Sequence, residues 1–147
     1  MAAGSDEVKV EVVGVFEQEV SFQEQEHRIP LLLVRDPTGR KVRVPIGSCE
    51  GLAIQIVLES HVLPRPLTHD LALRLMERLH ARLQRIVVDE LSDSGAHATL
   101  YLTTSEGEIS MDARPGDAVA LALRADVPIY VTEELLAAGG AWGEQIS

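Results

Sequence analysis

The chain has 147 residues, a formal net charge of −10 and a single cysteine. Its length and its 46% hydrophobic content fit one compact domain, able to bury roughly 68–70% of its unfolded surface without covalent staples. Cys49 alone excludes an internal disulfide framework and a cysteine-built zinc site. The acidic balance excludes a general nucleic-acid coat, which needs clustered Lys and Arg.

The charge is uneven. Seven acids precede His27 against one base, Lys9, which leaves −4 over the remainder. Most bases are arginines, whose planar fork suits phosphate or carboxylate, so a polyanion is expected only on a local patch. The opening MAAGSDEVKV has neither the basic nor the apolar region of a signal peptide. No apolar run approaches the roughly 18 residues of a membrane span. A cytoplasmic location and no membrane contact are expected.

In chain order, residues 8–16 alternate as a strand, and the acidic residues 17–26 read as a loop. Residues 28–46 read as a hairpin around Asp36-Pro37-Thr38-Gly39, where Pro presets φ and Gly accepts a positive one. A helix is expected over 48–59, capped by Gly47 or Ser48 and apolar enough to be largely buried. A rigid connection over 61–66 leads to a second helix over 68–83, with Thr68 as its N-cap and Leu71, Leu75 and Leu79 as its buried stripe. A strand over 85–91, a turn over 92–95 and a hairpin of 97–103 with 108–112 follow. A third helix over 116–124 starts at Gly116. A short strand over 128–131 and a last helical turn or two over 132–138 complete the chain. This order lacks strict alternation of strand and helix, so the expected class is α+β, with a mostly antiparallel sheet and three main helices. The domain is placed at 8–138, with 1–7 and 139–147 as loose ends.

Three stretches could carry chemistry. In PRPLTHDLALRL, residues 64–75, two prolines restrict the approach to a helix. Asp70 sits in the first turn, where a carboxylate favours the helix dipole. Arg74, Arg78 and Arg82 repeat at four-residue spacing, and read as a solvated basic face or as a rail for phosphates. Arg65 and His69 lie where free backbone N–H groups favour anions. In DARPGDAVALALR, residues 112–124, Asp112 and Asp117 flank a corner made by Arg114 and Pro115. Such a carboxylate pair can hold a divalent cation; helix capping and a clamp on Arg114 explain it more simply. In PIGSCEGLAI, residues 45–54, Glu50 falls in a first turn and Cys49 reads as a small buried residue. No nucleophile elbow, phosphate loop or zinc helix is present. From the residues alone, function stays open.

Together these stretches resemble the bifunctional nuclease family. The resemblance rests on PRPLTHDL at 64–71, DARPGDA and its helix at 112–124, PIYV at 128–131 and the IGSCE helix start at 46–50. It covers about residues 8–138. Gly116 stands where the family usually has serine, so no hydroxyl there is a required nucleophile, and Pro45 stands near a common aromatic.

The resemblance implies a self-associating α+β domain with nuclease activity on DNA and RNA by metal-assisted phosphodiester hydrolysis. It points to Glu50, His69, Asp70, Asp112 and Asp117 as catalytic, with His69 as acid or base. Arg65, Arg74, Arg78 and Arg114 would grip substrate. Asp112 and Asp117 would hold Mg²⁺ or Mn²⁺. The competing expectation is a non-enzymatic oligomeric module that binds a partner or regulates, in which the same residues serve as caps and clamps.

Overall fold

A computed structural model describes residues 6–92 and 95–139. The chain runs β1 (Glu7–Phe22), β2 (Gln25–Arg35), β3 (Lys41–Pro45), α1 (Ser48–Leu58), α2 (Thr68–Arg78), β4 (Arg82–Ser92), β5 (Gly95–Thr104), β6 (Gly107–Ala113), α3 (Pro115–Ala125), β7 (Ile129–Thr132) and α4 (Glu133–Ala138). The class is α+β. One seven-stranded sheet has the order β3-β2-β1-β7-β4-β5-β6. Every neighbouring pair is antiparallel except β4 and β7. The first three strands form one meander and β4 to β6 another; β7 lies between them, pairing with β1 on one side and β4 on the other.

Alternation along β4 and β5 explains the core. Ile86 and Val88 point inward with Ala98, Leu100 and Leu102, all buried, because successive side chains of a strand face opposite sides. Helix α3 covers this layer. Ala118, Val119, Ala120 and Ala122 are fully buried, and their small size lets neighbouring elements approach closely. The closest approach is at the helix start. A Cβ added to Gly116 would stand 2.7 Å from Glu50 Cβ on α1, closer than any side chain tolerates, so glycine is what permits α1 and α3 to meet there.

The turn at Asp36 forms as expected. The buried Asp36 carboxylate accepts hydrogen bonds from Thr38 N–H and Arg40 N–H, and Gly39 takes φ 96°. Arg40 then reaches Glu133 at the start of α4.

Several local expectations are corrected. Residues 17–26 are strand rather than loop: β1 and β2 pair out to Phe22 and Gln25. Gln23 and Glu24 both take positive φ (51° and 63°), the requirement of a tight two-residue hairpin turn. This arm has polar residues on both faces, which hides the alternation that marks a half-buried strand. Helix α2 stops at Arg78, where His80 turns left-handed at φ 62°, so Arg82 belongs to β4 and the three-arginine rail is broken. The α2 N-cap is Leu67, not Thr68, and α3 starts at Pro115, with Arg114 as its N-cap, rather than at Gly116. Helix α1 buries Ala53 and Ile54 but exposes Leu52 and Leu58, and Cys49 is exposed. The largest difference is the rotation of α2: Leu71, Leu75 and Leu79 are 50%, 54% and 76% exposed, while Ala72, Leu73 and Met76 pack against the core. Leucines at i+4 and the Leu73–Met76 edge compete for the same helix, and the fold chooses the second. Residues 1–5, 93–94 and 140–147, read as loose ends and part of a turn, lie outside the described residues.

Candidate functional site

The starts of α1, α2 and α3 each carry an acid three residues after the N-cap: Glu50, Asp70 and Asp117. Free N–H groups and the positive end of the helix dipole favour a carboxylate at this position. Glu50 and Asp70 fold back to accept their own N-cap N–H, from Gly47 at 3.0 Å and Leu67 at 2.9 Å. Asp117 does something else. Its Oδ1 meets His69 Nε2 at 2.8 Å and its Oδ2 accepts from Arg114 at 2.8 Å. Arg114 Nη2 also stands 3.7 Å from Glu50 Oε2. Glu50, Arg114, Asp117 and His69 thus form one chain of charges linking three helix starts.

Burial alone would raise the Asp117 carboxyl, but hydrogen bonds from His69 and Arg114 outweigh it and hold the group below the usual aspartate value. The same bond to Asp117, with the nearby Glu50 charge, raises Arg114. His69 is 12% exposed. With Nε2–H given to a carboxylate, the neutral ring presents Nδ1 as acceptor, a tautomer inferred from this bonding. A carboxylate that orients an imidazole and stabilises its protonated form is the arrangement of a general base.

Beside this chain lies a second clamp. Arg124 donates from Nε to Asp70 at 2.8 Å, from Nη1 to Ala120 O at 3.0 Å and from Nη2 to Ala53 O at 3.1 Å. It joins all three helices and is 6% exposed. Burial pushes Asp70 up, while the Leu67 N–H and Arg124 pull it down more strongly; the net direction is down. Sequence reading missed Arg124. Its place in a last helical turn is ordinary, and a partner 54 residues away leaves no local signal.

The remaining expected residues are elsewhere. Arg65 and Arg74 open on a cleft of about 320 Å³ between the end of α1 and the start of α2. Arg78 lies with Leu71 and Leu75 on the outer face of α2. Asp112 is exposed on β6, paired with Thr99, and makes no ion pair among the described residues. Metal binding fits this arrangement poorly. Asp70 and Asp117 each have both oxygens engaged, and Glu50 gives one to Gly47 and turns the other toward Arg114. Among the described residues, no three His, Cys, Asp or Glu side chains group as a metal site.

The family model for the bifunctional nuclease domain matches residues 31–142. The chain belongs to the bifunctional nuclease domain family. The match starts inside β2 and takes in every residue of the charge chain. An uncharacterized protein of Mycobacterium tuberculosis is 39% identical over 118 residues, covering 80% of this chain and 70% of that protein. Bifunctional nuclease 1 of Oryza sativa subsp. indica is 23% identical over 112 residues, covering 74% of this chain and 34% of the rice protein. The domain thus corresponds to about a third of the rice relative.

Proposed function

We propose that the chain is a nuclease that hydrolyses phosphodiester bonds in DNA and RNA at the Glu50–Arg114–Asp117–His69 chain. The observation that carries this reading is the 2.8 Å bond between His69 Nε2 and Asp117 Oδ1. His69 Nδ1 would take a proton from water as the water oxygen bonds to phosphorus. Asp117 would stabilise the imidazolium that forms. The P–O bond to the leaving oxygen breaks, and the imidazolium returns its proton to that oxygen. Arg114 spends Nε and Nη2 on Asp117, which leaves Nη1 for a non-bridging phosphate oxygen. Glu50 positions Arg114 from behind. Of the four candidate carboxylates, Glu50, Asp70 and Asp117 are already partnered, so the reading uses no metal. The test is cleavage of single- and double-stranded DNA and RNA by protein that co-elutes with the activity, with and without EDTA. Retained activity in EDTA and its loss in His69→Ala support the reading; activity that needs a metal, or that survives His69→Ala, overturns it.

A second reading, a non-enzymatic module that assembles with copies of itself, is favoured by the exposed leucines of α2. A soluble monomer does not ordinarily leave such a stripe open. Self-association is compatible with catalysis too, so the nuclease assay decides between the readings and the oligomeric state does not. No helix among the described residues is long and apolar enough to cross a membrane. The exposed thiol of Cys49 supports placing the chain in the reducing cytoplasm.

A further inference from the structure

We propose that the cleft between the end of α1 and the start of α2 is a nucleotide-binding subsite, separate from the His69–Asp117 pair, with Arg65 and Arg74 as its phosphate ligands. Three features of the cleft carry this. First, its charge is in surplus. Asp70 is the acid in its lining, and Arg124 already matches it at 2.8 Å. Arg65 and Arg74 have no ion pair within 4.0 Å among the described residues, and both are exposed. Arg74 also acts on Asp70 through its charge, but three arginines then face one acid, and in a chain of net charge −10 that local surplus favours an anion whose oxygens suit their planar forks.

Second, the lining is mixed, with apolar side chains beside the arginines and His61. Ile56, Val57, Leu63 and Pro64 give the cleft its apolar part, and Val62 is 94% exposed. A bare anion has no use for those apolar side chains. A ligand with a flat apolar body and a charged end does. Third, the volume of about 320 Å³ falls at the lower end of the roughly 300–1,000 Å³ typical of small-molecule sites, the scale of one nucleotide. Pro64 and Pro66 limit the backbone on either side of Arg65, so less freedom is lost when its guanidinium is fixed on a ligand.

Position connects the cleft to the charge chain. His69 and Asp70 are consecutive, but His69 turns to Asp117 at the start of α3 and Asp70 to Arg124 at its end. The cleft is therefore placed to hold a nucleotide that flanks the scissile bond rather than the reacting phosphate. The choice of a nucleotide over another phosphate ester rests on the nuclease reading; the preference for a phosphate does not.

Calorimetric titration of the full chain with adenosine 5′-monophosphate, inorganic phosphate and adenosine tests this. The monophosphate is expected to bind more tightly than either part. Arg65→Ala with Arg74→Ala, whose side chains make no hydrogen bond or ion pair among the described residues, should weaken it roughly tenfold or more, and His69→Ala should leave it unchanged. No saturable binding at millimolar monophosphate, or equal binding by the double variant, overturns the subsite. Binding that obeys these rules in a protein without cleavage activity upholds the subsite and removes the nuclease reading instead.

Discussion

His69 and Asp117 are 48 residues apart in sequence and 2.8 Å apart at their hydrogen-bonded atoms. The contact joins the starts of α2 and α3, and Gly116, next to Asp117, lets the start of α3 also close on α1. A chemical arrangement is thus built from a packing decision, and the two can be tested separately.

Asp117→Asn keeps the shape of the side chain and removes its charge, and His69→Ala removes the base. Each is expected to lower phosphodiester cleavage by about 10²–10⁴-fold, the usual worth of a positioned acid–base group. Single-turnover rates, with circular dichroism to confirm folding, are the measurement. Retention of the wild-type rate by Asp117→Asn would sink the role given to the pair.

Gly116→Ala should destabilise the protein by about 1–3 kcal/mol, the common cost of overpacking a filled site, because the new methyl would meet Glu50 Cβ at 2.7 Å. A shifted urea midpoint with unchanged slope is the expected readout. Unchanged stability would mean that the α1–α3 contact is looser than the distance says.

Arg124→Met should cost about 2 kcal/mol. Breaking a fully buried pair costs roughly 3–5 kcal/mol, but the side chain of Asp70 is 37% exposed and water recovers part of that. Double substitution with Asp70→Asn should cost less than the sum of the single changes, since each single change strands the other partner. Strict additivity in the cycle would remove the coupling.

Both Asp70 and Asp117 sit below the ordinary aspartate value of 3.8 in the folded chain. A group with a depressed folded value binds its proton more readily when unfolded, so it stabilises the fold above its unfolded value. Stability should therefore be level above about pH 5 on account of these groups and fall as the pH drops through 3.8 toward their folded values. Urea unfolding from pH 7 to pH 2 checks the slope, and Asp117→Asn should flatten it. A variant with the wild-type slope would contradict the assignment.

Leu75→Glu places a charge in the exposed stripe of α2. If that stripe is an interface between copies, the substitution should yield monomers by light scattering at concentrations where the wild type is larger. A monomeric wild type would end the self-association reading.

Much of this was legible in the sequence, for local reasons. The Asp36–Gly39 turn, the start of α1 and the β5–β6 hairpin are written in residues that touch each other along the chain. The rotation of α2 was not, because four-residue leucine spacing describes a stripe without saying which way it faces. The strand nature of residues 17–26 was hidden because an arm wet on both sides has no apolar alternation. Among the site residues, the helix-start pattern marks Glu50, His69, Arg114 and Asp117, while Asp112 sits on β6, across the Pro115 corner from Asp117 on α3. Arg124 was overlooked because its reason for being there lies on α1 and α2.

The position of β7 has a consequence for how the molecule comes to exist. Among the described residues, the meander of β1 to β3 and that of β4 to β6 share no strand-to-strand hydrogen bonds. Their union in one sheet passes through Ile129–Thr132, four residues. Ribosomal synthesis delivers these residues after every other strand. Until they emerge, the edges of β1 and β4 that face each other in the finished sheet have no strand between them to pair with, so closure of the sheet waits on the last strand made.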